Sequence, residues 1–243
     1  MEARAACGYT DLEADEYPFS GNDAAVGVTE RCAEVLGDAV GLDWDSFGEE
    51  PHAFVSAGSS AERVVGGLAV LVAYGNTLEV AGHPPLTDEL DAVRAALGEA
   101  QGALPQEVWL GLVQRYVTRV QLVPGLDKTM KFSADDGVVS VAELDDLGVG
   151  PVSAALGLVH EATHGFLPGH APCSPTSAYT CDDDATGAYG AGALWGYNWL
   201  TWNRALVGLM TCINTEGAIY DSCGHIAEID GFAPCDQHAD YCM

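Results

Sequence analysis

The chain has 243 residues and 48% of them are apolar, which is enough for one domain with a sizeable core. Its 36 acidic residues outweigh nine basic ones, so the formal net charge is −27. A surface this acidic repels the phosphate backbone of nucleic acids and anionic lipids. No apolar run in the sequence reaches the roughly 18 residues of a membrane span. We therefore expect neither nucleic acid nor a membrane span. Two interpretations of the acidity are open: a strongly solvated surface suited to high salt, or recruitment of cationic substrates.

The first hundred residues are expected to be mostly helical after an irregular start. Residues 1–22 are acidic and rich in turn formers, so we expect them to be irregular. Residues 23–42 carry apolar side chains at helical spacing. The run 64–74, rich in Val and Leu, fits either a buried strand or a core helix, because periodicity does not separate the two. Thr87 then opens a helix that ends near Gly102.

The second half predicts three helices and a small sheet element. Pro105 sits at the first position of one helix. Residues 131–141 contain DDG followed by VVSVA, which predicts a turn and a short strand. Pro151 opens the next helix, and Gly165 is well placed to end it. A long apolar helix is expected over 187–210. The sequence thus predicts one mainly helical α+β domain spanning the whole chain.

The cysteines indicate disulfides. Six of the eight lie from Cys173 onward, in a region rich in Gly, Asp and Pro, so we expect 212–243 to be irregular and disulfide-stapled. By proximity, Cys173 is predicted to pair with Cys181, and Cys212 with Cys223. An even count in loops favours an oxidising compartment, so we expect a secreted, periplasmic or cell-envelope protein in its mature form, without its signal peptide. Reduced, buried cysteines in a cytosolic protein are the alternative.

The segment LVHEATHGFLPGH, residues 158–170, carries the pattern with the most chemical content. His160 and His164 are four residues apart, so on a helix both imidazoles lie on one face and can converge on one metal ion. Glu161 lies beside that ion rather than on it, where its carboxylate can take a proton from a water that the ion activates. Zinc suits imidazole ligands, and catalytic zinc keeps one coordination position open. The alternative is two polar histidines on an ordinary helix.

This segment resembles the zincin metallopeptidases, and its spacing equals that of the metzincin pattern H-E-x-x-H-x-x-G-x-x-H. The resemblance implies that His160, His164 and His170 bind Zn²⁺ and that Glu161 is the catalytic base. It also implies a zincin-like domain with an active-site helix, a small sheet and, here, a disulfide-rich C-terminal part. The metzincin glycine position is occupied by Leu167 in this chain, so the turn that leads to the third ligand must be built differently.

A second resemblance competes for the third ligand. The segment CDDDATGAYG, residues 181–190, is similar to the Asp-plus-Tyr-Gly segment of the aspzincin peptidases, in which an Asp is the third ligand. It implies an aspartate of Asp182–Asp184 in place of His170, and Tyr189 as a catalytic residue that stabilises the developing oxyanion. Met210 is a candidate for the metzincin Met-turn, although packing at the end of an apolar helix explains it better.

These patterns predict a secreted zinc-dependent hydrolase that cleaves peptide bonds in a peptide or protein substrate. The alternative is a non-catalytic secreted binding or structural protein whose zinc site is structural or vestigial. The remaining histidines have no ligand spacing among themselves; of these, His225 is the one whose distance to the site matters. The others are His52, His83 and His238.

Overall fold

The structure, a computed structural model, describes residues 2–8, 28–49, 58–73, 105–144, 146–167, 169–174, 180–182, 187–203, 209–226 and 235. Within these ranges the chain is α+β, with eight helices and five short strands. The helices are α1 (Glu2–Ala6), α2 (Glu30–Ala39), α3 (Trp44–Phe47), α4 (Ser60–Ala73), α5 (Pro105–Tyr116), α6 (Pro151–Thr163), α7 (Ala188–Asn203) and α8 (Leu209–Cys223). The strands are β1 (Arg119–Leu122), β2 (Met130–Ser133), β3 (Val138–Val141), β4 (Ala171–Pro172) and β5 (Thr180–Cys181).

The N-terminal half confirms two predicted helical regions and corrects one expectation. Helix α2 begins after Thr29, whose hydroxyl accepts a hydrogen bond from the Cys32 amide. The Val- and Leu-rich run is helix α4 rather than a strand, and it is buried on all sides, which is typical of a central helix. Residues 2–6 form α1, so the expected irregular start is wrong there; a Cys7–Cys32 disulfide joins this segment to α2. The helix predicted from Thr87 lies outside the described residues.

Helix α6 lies at the centre of the fold, in contact with α4, α5, α7, α8 and β2. Its backbone approaches α4 closely at Gly67, where an added Cβ would lie 2.8 Å from the Ala155 nitrogen and 3.1 Å from the Pro151 oxygen. Only glycine fits such an approach without moving a backbone. This contact therefore sets the position of α6, which carries the two histidines of the motif.

A three-stranded sheet covers one side of α6, in the order β1-β3-β2. Strand β3 pairs in parallel with β1 and antiparallel with β2. The predicted turn and short strand are both present, with Gly137 at φ +71° closing the turn between β2 and β3. Strand β2 is an edge strand of this sheet, and its Met130 packs against α6 at Gly157.

The C-terminal part differs from its prediction. A long helix begins at Ala188 as expected and is described as far as Asn203, and Met210 lies in the helix described from Leu209. Residues 204–208 of the predicted helix lie outside the described residues. Residues 212–223 are helical, so the expected irregular segment is wrong over this range. Four buried side chains recur along α8 at helical spacing, which explains why this segment is ordered; they are Cys212, Thr215, Ile219 and Ser222.

The disulfides confirm one predicted pair and contradict the other. Cys173 bonds Cys181 as predicted, whereas Cys223 bonds Cys235 and not Cys212. Cys212 also belongs to a disulfide. Eleven residues of helix separate Cys212 from Cys223, a rise of about 16 Å, which no disulfide spans.

Bonded cysteines at these positions favour an oxidising, extracellular-type environment. In the part of the chain that the structure describes, no helix combines the length and apolar character needed to cross a bilayer.

The contact between α4 and α6 can be tested with two glycine substitutions. We expect Gly67→Ala to lower the free energy of unfolding by about 1–3 kcal/mol, because the added methyl group meets the backbone of α6. Gly217→Ala is the matched control in α8, where an added Cβ meets nothing within 4 Å. This control should raise stability by up to about 1 kcal/mol, because alanine favours the helix. Denaturant unfolding curves measure both; equal effects would contradict the close approach.

Candidate metal centre

The last turns of α6 position the first two histidines. The helix begins with Pro151 at its first turn and ends at Thr163, so His160 lies within it and His164 is its C-cap residue. Gly165 follows, and a Cβ there would collide with the ring of Tyr116 on α5. The end of the helix is thus fixed by packing against α5, and both imidazoles lie on the same side of α6.

Three imidazole nitrogens converge at this end of the helix. The Nε2 atom of His170 lies 3.1 Å from Nε2 of His164 and 3.2 Å from Nε2 of His160. A tetrahedral ion with zinc–nitrogen bonds of about 2.0–2.1 Å holds its nitrogens about 3.3 Å apart. The observed spacing therefore fits one metal ion bound by all three histidines, which form a possible metal site.

Asp182 fixes the orientation of the third histidine. Its Oδ1 atom lies 2.6 Å from Nδ1 of His170, and its Oδ2 atom accepts a hydrogen bond of 2.7 Å from the Tyr189 amide. Because a carboxylate only accepts, a neutral His170 carries its proton on Nδ1 and turns the lone pair of Nε2 toward the other two histidines. Carboxylates commonly support metal-binding histidines in this way. Asp182 therefore contacts the back of a candidate ligand and is not itself in the cluster.

A disulfide-tied ribbon brings His170 and Asp182 together. His170 directly precedes β4 and Asp182 directly follows β5, and these strands pair with Ala171 opposite Cys181. The Cys173–Cys181 disulfide closes the same ribbon. The amide of Asp182 also donates a hydrogen bond to the carbonyl oxygen of His225. This construction replaces the metzincin turn that the sequence lacks.

Glu161 lies beside the histidine cluster with its carboxylate buried. Its Oε2 atom accepts a 2.8 Å hydrogen bond from the amide of Phe132 on β2. Burial raises the pKa of Glu161 to about 7, against the opposing effects of that hydrogen bond and of the charges of His170 and Lys128. A divalent cation among the histidines would favour the carboxylate further, because an opposite charge nearby lowers the pKa of an acid.

The ring of Tyr189 lies between two histidines. Its centroid is 4.3 Å from that of His170 and 4.5 Å from that of His225, and both pairs are stacked. Burial is the main cause that raises the pKa of the Tyr189 hydroxyl, and the Thr180 side chain acts in the opposite direction. Tyr189 thus borders the site as predicted, while its role in stabilising an oxyanion stays a prediction.

His225 lies close to the site. It is the histidine outside the motif whose distance to the site the sequence left open. Its Nδ1 atom lies 2.7 Å from the carbonyl oxygen of Thr180. It also forms a group with Cys173 and Cys181 at metal-ligand distances, but those two sulfurs are bonded to each other and offer no thiolate. His225 therefore supports the ribbon and the Tyr189 ring.

An open cleft of about 660 Å³ leads to the histidines. The segment 128–134, which includes β2, forms one wall, and residues 218–222 of α8 line another part. His160, Glu161, His164, His170 and Tyr189 all line it. All five candidate site residues from the sequence thus border one cavity.

The structure adds two partners that the sequence pattern did not reveal. The Phe132 amide comes from a strand far from the motif in sequence, and nothing in the local sequence indicated its contact with Glu161. Asp182 was expected only as a rival ligand, although its position directly after Cys181, the predicted partner of Cys173, placed it near His170. Asp183 and Asp184 lie outside the described residues.

Comparisons with protein-family models, with curated proteins and with solved structures give no match to this chain. The assignment of a function therefore rests on the geometry of the site.

The supporting role of Asp182 can be tested by Asp182→Asn. We expect the affinity for zinc to fall by about 10- to 100-fold. The carboxylate accepts hydrogen bonds from two N–H groups, those of His170 and Tyr189, whereas asparagine would turn its own NH₂ donor toward one of them. Competition with a chromophoric chelator measures this affinity. Asp221→Asn is the control, since it removes an equal charge from the cleft that the histidines line. Equal losses in the two variants would show a general effect of charge instead of a bond to His170.

The ribbon disulfide can be tested by replacing Cys173 and Cys181 together with serine. We expect weaker zinc binding, because His170 and Asp182 lose the crosslink between the strands that hold them. The control replaces Cys7 and Cys32, whose disulfide joins α1 and α2. That variant should lose stability but keep its affinity for zinc when measured under folding conditions. Unchanged affinity in the ribbon variant would refute this role of the disulfide.

Proposed function

We propose that this protein is a secreted zinc-dependent peptidase of the zincin type. The observation that carries the proposal is the convergence of three histidine Nε2 atoms beside the buried carboxylate of Glu161, in an open cleft. The H-E-x-x-H pattern on α6 supports the same conclusion from the sequence.

The donor set favours zinc. Three neutral imidazoles suit a borderline-soft divalent ion, and oxygen-seeking ions such as Mg²⁺ and Ca²⁺ prefer carboxylates and carbonyls. The separations of 3.1 and 3.2 Å agree with tetrahedral zinc. Copper and nickel also bind imidazole, so the identity of the ion is part of the test below.

The number of ligands favours a catalytic site over a structural one. Among the residues that the structure describes, the cluster consists of the three histidines alone. Structural zinc sites are closed by four protein ligands, whereas catalytic sites keep a position for water or substrate. The cluster borders the cleft, so that position is open to a substrate.

Each neighbouring side chain has a role in this scheme. A bound zinc ion would polarise the scissile carbonyl and lower the pKa of water. Glu161 accepts a proton from the attacking water and returns it to the leaving amine. The Phe132 amide holds the carboxylate of Glu161 next to the cluster, and Asp182 holds His170 in the tautomer that binds.

The edge strand favours an extended peptide as the substrate. Among the described residues strand β2 pairs with β3 alone, and Met130, Lys131 and Phe132 of β2 line the cleft. The backbone amide of Phe132 meets Glu161 at this edge. An extended peptide can pair with the backbone groups of this edge that Glu161 leaves open and lie across the histidines, a common way of binding peptides.

The catalytic role of Glu161 is tested by Glu161→Gln. We expect kcat/KM on an unbiased peptide mixture to fall by about 10²- to 10⁴-fold with zinc retained, because glutamine cannot accept the proton from water. Glu34→Gln, which alters a partly exposed residue of α2 that pairs with Arg31, should leave activity unchanged. Full activity in the Glu161 variant would contradict the assignment.

Metal content separates catalysis from binding in the same experiment. Elemental analysis should find one zinc per wild-type or Glu161→Gln chain, and His164→Ala should lose both metal and activity. A wild-type protein purified without stoichiometric metal, and unable to take up zinc, would refute the proposed function.

A further inference from the structure

The lysines of this chain have an unusual distribution. The sequence contains only two, Lys128 and Lys131, against 36 acidic residues. Both line the cleft of the histidine cluster, on the wall formed by the segment 128–134. Both are exposed, and neither forms an ion pair with another described residue. The cationic groups are therefore available to a molecule that enters the cleft.

Lys128 shares a cavity with the histidine cluster. It lines the same cleft as His160, Glu161 and His170, at the start of the segment 128–134, and its side chain is exposed. A substrate that occupies the cleft beside the histidines therefore lies within reach of its charge.

Lys131 lies on the face of β2 that points away from α6. It lies in β2 between Met130 and Phe132, and because side chains alternate along a strand, it leaves β2 on the face opposite Met130. Met130 packs on α6, so the Lys131 side chain extends from the outer face of the edge strand. Its long, flexible stem allows it to flank a peptide that pairs with β2.

The remaining described charges of the cleft do not cancel this basic wall. The acidic lining residues are Glu161, which is held by Phe132, and Asp221, which is exposed on α8. The lysines are therefore the charged side chains of the segment 128–134, Asp221 is the acid on the α8 side, and Glu161 reaches β2 with its carboxylate engaged by the Phe132 amide. Zinc at the three histidines would add positive charge to the cleft.

We propose that the substrate is a peptide with an aspartate or glutamate beside the scissile bond, bound with that side chain against Lys128 and flanked by Lys131. This inference rests on the proposed peptidase function and names its substrate class. It opposes the interpretation of the acidic composition as a means of recruiting cationic substrates. Charges farther away than about 10 Å are largely screened at 0.1 M salt, so the cleft wall, and not the net charge, selects the substrate.

The test compares matched peptides on zinc-loaded protein. Each pair differs only by Glu or Gln at one position on either side of the cleaved bond, and kcat/KM is measured at low ionic strength. We expect the Glu peptide to be preferred about two- to fivefold at one position for each lysine that contacts it, the range of an exposed ion pair. Added salt should reduce the preference.

Variants identify the source of the preference. Lys128→Gln should remove most of it, the double variant Lys128→Gln/Lys131→Gln all of it, and Lys128→Glu should reverse it toward peptides with Lys. Arg31→Gln, which removes an equal charge from exposed helix α2, should leave it intact. A wild-type protein that favours Gln or Lys peptides, or a preference that survives in the double variant, would overturn the inference.

Binding measurements keep this test separate from that of the peptidase function. The affinities of the same fluorescent peptides are measured by anisotropy, which needs no turnover. Tighter binding of Glu peptides without any cleavage would refute the peptidase and support the charge selection. Cleavage that depends on Glu161, with equal affinities and equal rates for both peptides, would support the peptidase and refute the charge selection.

Discussion

The site is built from two parts of the molecule, and the hydrogen bond between Nδ1 of His170 and Asp182, within one of them, orients the third imidazole toward the other. One part is the buried helix α6, which places His160 and His164 one turn apart. The other is a two-stranded ribbon closed by the Cys173–Cys181 disulfide. Without the carboxylate of Asp182, neither the tautomer nor the rotation of the His170 ring would be fixed. The three Nε2 atoms would then not be held at the separations that suit one tetrahedral metal ion.

Much of this site could be predicted because its first half is local. The spacing of His160 and His164 and the apolar face of their helix are fixed by helical periodicity, so two imidazoles on one side of α6 followed from the sequence. The identity of the third ligand was ambiguous, because the metzincin spacing favoured His170 and the aspzincin-like segment favoured an aspartate such as Asp182. Both residues take part, but Asp182 acts through His170. Sequence spacing reports proximity and does not report which atom faces the ion.

The features that were missed depend on contacts between distant segments. The Phe132 amide reaches Glu161 because the edge strand β2 lies beside α6, and no local pattern encodes that packing. The sequence predicts an irregular segment where α8 lies, because the abundance of Cys, Gly, Asp and Pro in this region outweighs the helical recurrence of Cys212, Thr215 and Ile219. The geometry of this helix keeps Cys212 out of reach of Cys223, whose partner is Cys235.

The acidic composition and the basic cleft wall answer different physical demands. A net charge of −27 acts on solvation and on weak encounters over the whole surface, and salt screens it within about one Debye length. Recognition acts over shorter distances, where individual side chains decide. The chain has only two lysines, and both line the cleft of the candidate metal site. They create a local positive field there, opposite in sign to the net charge of the chain. Because both lysines are exposed, salt screens their field over distance, so it acts on a docked substrate more than on one in solution.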